Sequence, residues 1–113
     1  MTAVETEQFL KASSALMTDQ ERTELVIFVA SNPLTGDVMP GTGGVRKLRW
    51  GRQGRGKRGG ARVIYYFHSE RMPVLLLDAY GKNMKSDLSQ AERNAIKRRI
   101  PTLVEHYLRR ARR

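Results

Sequence analysis

The run Val74-Leu75-Leu76-Leu77 constrains the fold of this 113-residue chain more than any other stretch. Successive strand side chains point to opposite faces, so a strand that is apolar at every position needs cover on both sides. That is the situation of a central strand, and the run gives out at Tyr80-Gly81. The segment before it alternates instead. Val63, Tyr65 and Phe67 fall on one face of a strand spanning Ala61 to His68, and Arg62, Ile64, Tyr66 and His68 fall on the other. Glu70 to Pro73 supplies the turn between them. Val45 to Trp50 reads as a further strand with Leu48 and Trp50 on one face, and Ala3 to Glu7 as a short edge strand.

Helices are predicted on either side of this block. Phe9 to Met17 has Phe9, Leu10, Ala12 and Leu16 as its apolar positions. Thr18-Asp19-Gln20-Glu21 fits a capping box, and the helix it starts carries Leu25-Val26-Ile27-Phe28-Val29-Ala30. So long an apolar run predicts a helix largely covered by the sheet. It ends near Ser31-Asn32-Pro33, because a proline disfavours helical geometry in the residue before it. Ser89-Gln90-Ala91-Glu92 is a second capping box. After it Ala91, Ala95, Ile96, Ile100, Leu103, Val104, Tyr107 and Leu108 recur at helical spacing. Pro101 interrupts that pattern at a cost of about 3 kcal/mol, which predicts a kink or a restart. The result is one α+β domain over residues 1–113, with two N-terminal helices, three antiparallel strands and a C-terminal helix.

The formal charge is +10, and it is segregated. Residues 1–37 hold two basic and six acidic side chains, whereas residues 38–113 hold nineteen and five. Between Val38 and Ser69 no carboxylate occurs, yet Arg46, Lys47, Arg49, Arg52, Arg55, Lys57, Arg58 and Arg62 all stand there. A second basic cluster runs from Lys97-Arg98-Arg99 to the arginines after Leu108. Such segregation points to a polyanionic partner, nucleic acid first. With no cysteine, thiol chemistry and disulfides are excluded, and a cytoplasmic location is expected. No apolar run reaches the ~20 residues that span a bilayer, and no membrane partner is expected.

Individual motifs narrow the chemistry. Gly54 to Gly60 is rich in glycine and cations but lacks the Lys-Ser/Thr of a Walker loop. It reads either as a backbone-wrapping loop for nucleic acid or as a flexible hairpin connection. Arg62, beside Ile64 in a strand, is a poor place for an unpaired cation. Either a carboxylate or a bound phosphate should face it. Tyr65 reads as a packing residue, and Tyr80 as a candidate for base stacking. His68 and His106 stand alone as surface residues. No metal-ligand cluster and no Ser/His/Asp set is present, so neither metal nor cofactor is expected.

Several segments, taken together in order and spacing, resemble the HigB branch of RelE-like toxins. They are Asn32-Pro33, Gly36-Asp37-Val38, Gly41-Thr42-Gly43-Gly44-Val45-Arg46-Lys47-Leu48-Arg49, Gly56-Lys57-Arg58-Gly59-Gly60-Ala61-Arg62-Val63-Ile64-Tyr65-Tyr66-Phe67, Tyr80-Gly81-Lys82-Asn83 and Ser86-Asp87-Leu88. The resemblance implies a compact RelE-like fold, with a curved antiparallel sheet of three to four strands backed by helices. It also implies a ribosome-dependent endoribonuclease that cuts mRNA in the A site without a metal. In such toxins the substrate's own 2′-hydroxyl attacks, leaving a 2′,3′-cyclic phosphate. The implied partners are mRNA, ribosomal RNA and a cognate antitoxin with a helix-turn-helix part, through which the toxin reaches operator DNA.

By that resemblance Arg62 contacts the scissile phosphate, Arg55, Lys57 and Arg58 form the basic loop before it, and Lys82 is the cation after the next strand, with Lys85 nearby. Some relatives carry a tyrosine where this chain has Ser89, a place Tyr80 is expected to fill. Arg49 joins the RNA-binding set. Fixed guanidinium groups suit a transition state that gains charge on phosphate oxygens, and Lys57 or Lys82, with crowded cations around it, suits a base. The competing expectation is a non-catalytic basic module that binds nucleic acid and acts with a helix-turn-helix antitoxin in transcriptional autoregulation.

Overall fold

In the computed structural model, which describes residues 1–51, 60–82 and 84–111, the apolar run lies in β5 (Val74–Gly81), an interior strand of the sheet. Val74 to Leu77 are all buried, as two-sided cover requires. On one side β5 pairs antiparallel with β4 (Ala61–Tyr66), which pairs antiparallel with β3 (Val45–Trp50), and β3 with the short β2 (Asp37–Val38). On its other side lies β1 (Ala3–Glu5), giving the order β1-β5-β4-β3-β2.

The sheet thus has five strands and is mixed, where three to four antiparallel strands were expected. β1 runs parallel to β5, with Ala3 opposite Val74 and Glu5 opposite Leu76. Its few residues cover an edge of β5 that would otherwise offer unpaired backbone groups. Thr6 closes the strand and opens the next helix. Its hydroxyl donates to the Leu76 carbonyl at 2.8 Å and accepts from the Phe9 amide at 3.2 Å, capping α1 (Glu7–Ser14).

Two apolar layers sandwich the sheet. Val63, Tyr65, Val74, Leu76 and Ala79 pack with Phe9 of α1 and with Leu25 and Val29 of α2 (Asp19–Ser31). Val45, Ile64, Tyr66, Leu75, Leu77 and Tyr80 pack with Ile96 and Ile100 of α3 (Gln90–Ala111). Both capping boxes form. Thr18 exchanges hydrogen bonds with Glu21 at 2.8 and 3.1 Å, and Ser89 with Glu92 at 2.7 and 3.1 Å.

A bulge makes the layers meet the site. Ile64 pairs with Asp78 but Tyr65 pairs with Leu76, so Leu77 is the extra residue. Before it, Leu75 and Leu77 face α3; beyond it, the even-numbered Tyr80 does. One inserted residue has shifted the alternation by one and brought Tyr80 onto the face of Arg62, its register partner.

One expectation is corrected, and of the two outcomes expected at Pro101 the restart is excluded. α2 is not largely covered, since Ile27 is 60% and Phe28 36% exposed. A helix turns about 100° per residue, so the face carrying Leu25 and Val29 meets the sheet while Ile27 and Phe28 between them are carried away from it. Phe28 instead lies against Trp50, ring centroids 5.5 Å apart. α3 passes through Pro101 without restarting. Pro101 and Lys97 are both exposed, so the carbonyl that loses its helical partner is left to water rather than buried. Among the described residues, no helix is long and apolar enough to cross a membrane.

Tyr65 ties the loop after α2 to the sheet. Its fully buried hydroxyl accepts from the Gly36 amide at 2.8 Å and donates to the Pro33 carbonyl at 2.8 Å. A Cβ at Gly36 would stand 2.9 Å from the ring, which is why glycine is needed there. Tyr65→Phe should strip both bonds and lower stability by about 1–3 kcal/mol. Chemical denaturation should show a lower midpoint with an unchanged slope.

Candidate nucleic-acid interface

The register of the sheet places Arg49 on β3, Arg62 on β4 and Tyr80 on β5 side by side. All three lie on the side of the sheet that α3 covers further along, at the Val45–Tyr66 end. Here the cover ends, leaving Arg49 exposed and Arg62 half-buried. Neither guanidinium has an acidic partner among the described residues, nor does the exposed Lys82 that follows β5. Like charges placed directly opposite across a strand pair repel, so this arrangement favours an anion between them.

The segment joining β3 to β4 leaves and returns at the register pair Trp50–Ala61, beside Arg49 and Arg62. Arg55, Lys57 and Arg58, expected in the basic loop, belong to that segment and lie outside the described residues.

One residue pair further along the same face, the charge pattern changes. Lys47, opposite Ile64, reaches Asp87 at 3.3 Å. The same carboxylate accepts from Arg93 of α3 at 2.8 Å, from the Leu88 amide at 2.8 Å and from the Tyr80 hydroxyl at 3.5 Å. Arg93 also donates to the Pro40 carbonyl at 3.2 Å, tying α3 to the glycine-rich turn before β3. Partial burial pushes the Asp87 carboxyl up, but the Leu88 amide together with Lys47 and Arg93 outweighs this and holds it below the usual carboxylate range.

Lys85, expected to face RNA, is ion-paired with Glu92 and holds that carboxyl below its usual range. Its ammonium also lies 5.2 Å from the centre of the Tyr80 ring. Tyr80 is only 3% exposed, so in this conformation its face is not an open platform for a base. Burial, reinforced by Asp87 and partly offset by Arg62, pushes its hydroxyl up. The group therefore stays protonated near neutral pH, a donor rather than a base.

Arg62, Arg49 and Tyr80 are thus neighbours across three strands, Lys82 follows directly on β5, and Lys85 turns back towards α3. The surface is not free of carboxylates, because Asp87 enters it from the loop before α3. Lys47, Asp87 and Arg93 were missed as site residues. The shared parity of Lys47 and Arg49 on one strand was the available signal for Lys47, but the partners of Asp87 and Arg93 are set by the tertiary fold. Among the described residues, no three histidine, aspartate or glutamate side chains gather as metal ligands.

A family model described as the RelE toxin of the RelE/RelB toxin–antitoxin system matches residues 5–110, from β1 through nearly all of α3.

Asp87 and Glu92 are both held below their usual values, so each stabilises the fold when ionised. That stabilisation is complete above the unfolded-state values near pH 4 and is lost as pH falls through the lower folded-state values. The melting temperature should therefore drop as pH falls from about 5 to about 3. The drop should be smaller in Glu92→Gln, which titrates one paired carboxylate fewer; an identical pH profile in wild type and variant would contradict the assignment.

Proposed function

The chain belongs to the RelE toxin family, and from that premise we propose that it cuts mRNA on the ribosome by metal-independent transesterification at Arg62. The family supplies the coarser statement: it is the toxin of a toxin–antitoxin system, a class generally made up of mRNA-cleaving endoribonucleases with a cognate antitoxin. Assignment to the HigB branch, cleavage in the A site and a helix-turn-helix antitoxin acting on operator DNA belong to the proposal.

The observation that carries the reading is the neighbouring pair Arg49 and Arg62, with no carboxylate partner among the described residues. In the proposed reaction the 2′-hydroxyl loses its proton to a base and its oxygen bonds to the adjacent phosphorus. The bond from phosphorus to the 5′-oxygen breaks, and that oxygen takes up a proton. The products are a 2′,3′-cyclic phosphate and a 5′-hydroxyl end. Negative charge grows on the non-bridging oxygens along the way, and Arg62, its backbone fixed in β4 between packed neighbours, stabilises it. Arg49 holds the same phosphate. Lys82 and Lys57 are the candidates for the base, since arginine is too basic to exchange a proton readily. Tyr80, beside Arg62, directs its hydroxyl proton to Asp87 and backs the site rather than donating to the substrate.

Brief induction followed by mapping of 5′ ends on translated mRNA tests this. Wild type should leave 5′-hydroxyl breaks within codons, and Arg62→Ala should reduce them by about 100- to 1000-fold. Intact transcripts in cells arrested by the wild-type protein would favour the non-catalytic binding module instead.

A further inference from the structure

We propose that Asp87 is a positioning residue that sets the register of the RNA. Its carboxylate fills a second anion site on the cationic face and thereby confines a phosphate to the Arg62–Arg49 end. The proposal rests on the reading of the chain as an RNA-cleaving toxin and adds to it a reason for an acid amid so many cations.

Four donors converge on this carboxylate from four parts of the fold: Lys47 from β3, the Tyr80 hydroxyl from β5, Arg93 from α3 and the Leu88 amide from the connecting loop. Two cations, a hydroxyl and a backbone amide make a binding set for one phosphate oxygen group as readily as for a carboxylate. Lys47 and Arg49 lie two residues apart on one strand, about 7 Å, which is on the scale of one nucleotide of an extended strand. Without Asp87 the face would offer an RNA backbone two adjacent anion sites. Only one of them would place the scissile phosphate beside Arg62.

Capping of α3 does not explain the residue. Ser89 and Glu92 already exchange the capping hydrogen bonds, and Arg93 is independently anchored on the Pro40 carbonyl. What the negative charge adds is one counter-ion shared by Lys47 and Arg93, while Arg49, Arg62 and Lys82 are left without an acidic partner among the described residues.

Asp87→Asn keeps the side-chain shape and an acceptor for the Leu88 amide but removes the charge. Binding is measured by anisotropy with a labelled 2′-O-methyl RNA oligonucleotide, which cannot form the cyclic product, across a salt series. Cleavage is measured on programmed ribosomes. The variant should bind more tightly at low salt than wild type. Its log–log salt slope should be steeper by about 0.7 for each additional phosphate that it neutralises. Its cleavage should slow by about 10-fold or more, because bound phosphates now divide between two registers. A structural lesion would weaken binding and cleavage together. Adding Lys47→Gln to Asp87→Asn should return both the slope and the cleavage rate towards wild type. If Asp87→Asn fails to fold by circular dichroism, Lys47→Gln alone decides: the proposal requires a wild-type salt slope, and a shallower one overturns it.

An unchanged slope in folded Asp87→Asn, or tighter binding with unchanged cleavage, overturns the register role while the nuclease reading stands. A wild-type protein that neither binds the oligonucleotide nor cleaves on ribosomes overturns both.

Discussion

The run Val74–Leu77 cannot lie in water with either face bare, and the rest of the chain is arranged to cover it. Burying each such side chain contributes about 1.5–3 kcal/mol, so leaving one face open would forfeit a large part of a small domain's net stability. α1 and α2 close one side, α3 closes the other, β4 takes one edge and β1 the other. The sheet is consequently held at its centre, and side chains near its ends inherit a fixed backbone. A strand arginine placed there starts from a fixed Cα, so less of it has to be ordered when a ligand arrives, and that is the physical ground for the role proposed for Arg62.

The polarity of the molecule follows from the same layering. The acidic residues of the N-terminal third are carried by β1, α1, α2 and β2, while Lys47, Arg49, Arg62 and the cations of α3 gather on and around the other layer, and Arg46 alone of the β3 cations turns back to the Leu34 and Gly36 carbonyls. Within that layer the charges are not equivalent. Asp87 and Glu92 engage Lys47, Arg93 and Lys85, and the end of the sheet at Arg49 and Arg62 is left without an acidic counterpart among the described residues. A basic surface of this kind attracts polyanions in general, but the arrangement of its few carboxylates decides where a phosphate can rest.

Much of this was legible in the sequence, because the signals were local and periodic. The two capping boxes, the unbroken apolar run of β5 and the packing role of Tyr65 appear where the pattern placed them, and the strand read from Ala61 to His68 appears over Ala61–Tyr66. What was not legible was set by distant partners. The parallel pairing of β1 depends on a free edge some seventy residues away. The bulge at Leu77 leaves no mark in a run of leucines, yet it decides that Tyr80 faces Arg62. The apolar run of α2 overstated its burial, since a run has no periodicity to tell a covered helix from one with a bare side. Acid-free sequence likewise did not mean acid-free surface, because Asp87 reaches Lys47 from forty residues further on.

The central claim is that one end of the sheet holds a preformed phosphate site made by Arg62 and Arg49. It is tested most directly by the guanidinium Nε–Hε resonances of the protein, titrated with a 2′-O-methyl RNA oligonucleotide. The account predicts large shifts for Arg62 and Arg49 at saturation while Arg93, held on Asp87 and Pro40, stays in place. A spectrum in which Arg93 moves and Arg62 does not would contradict it.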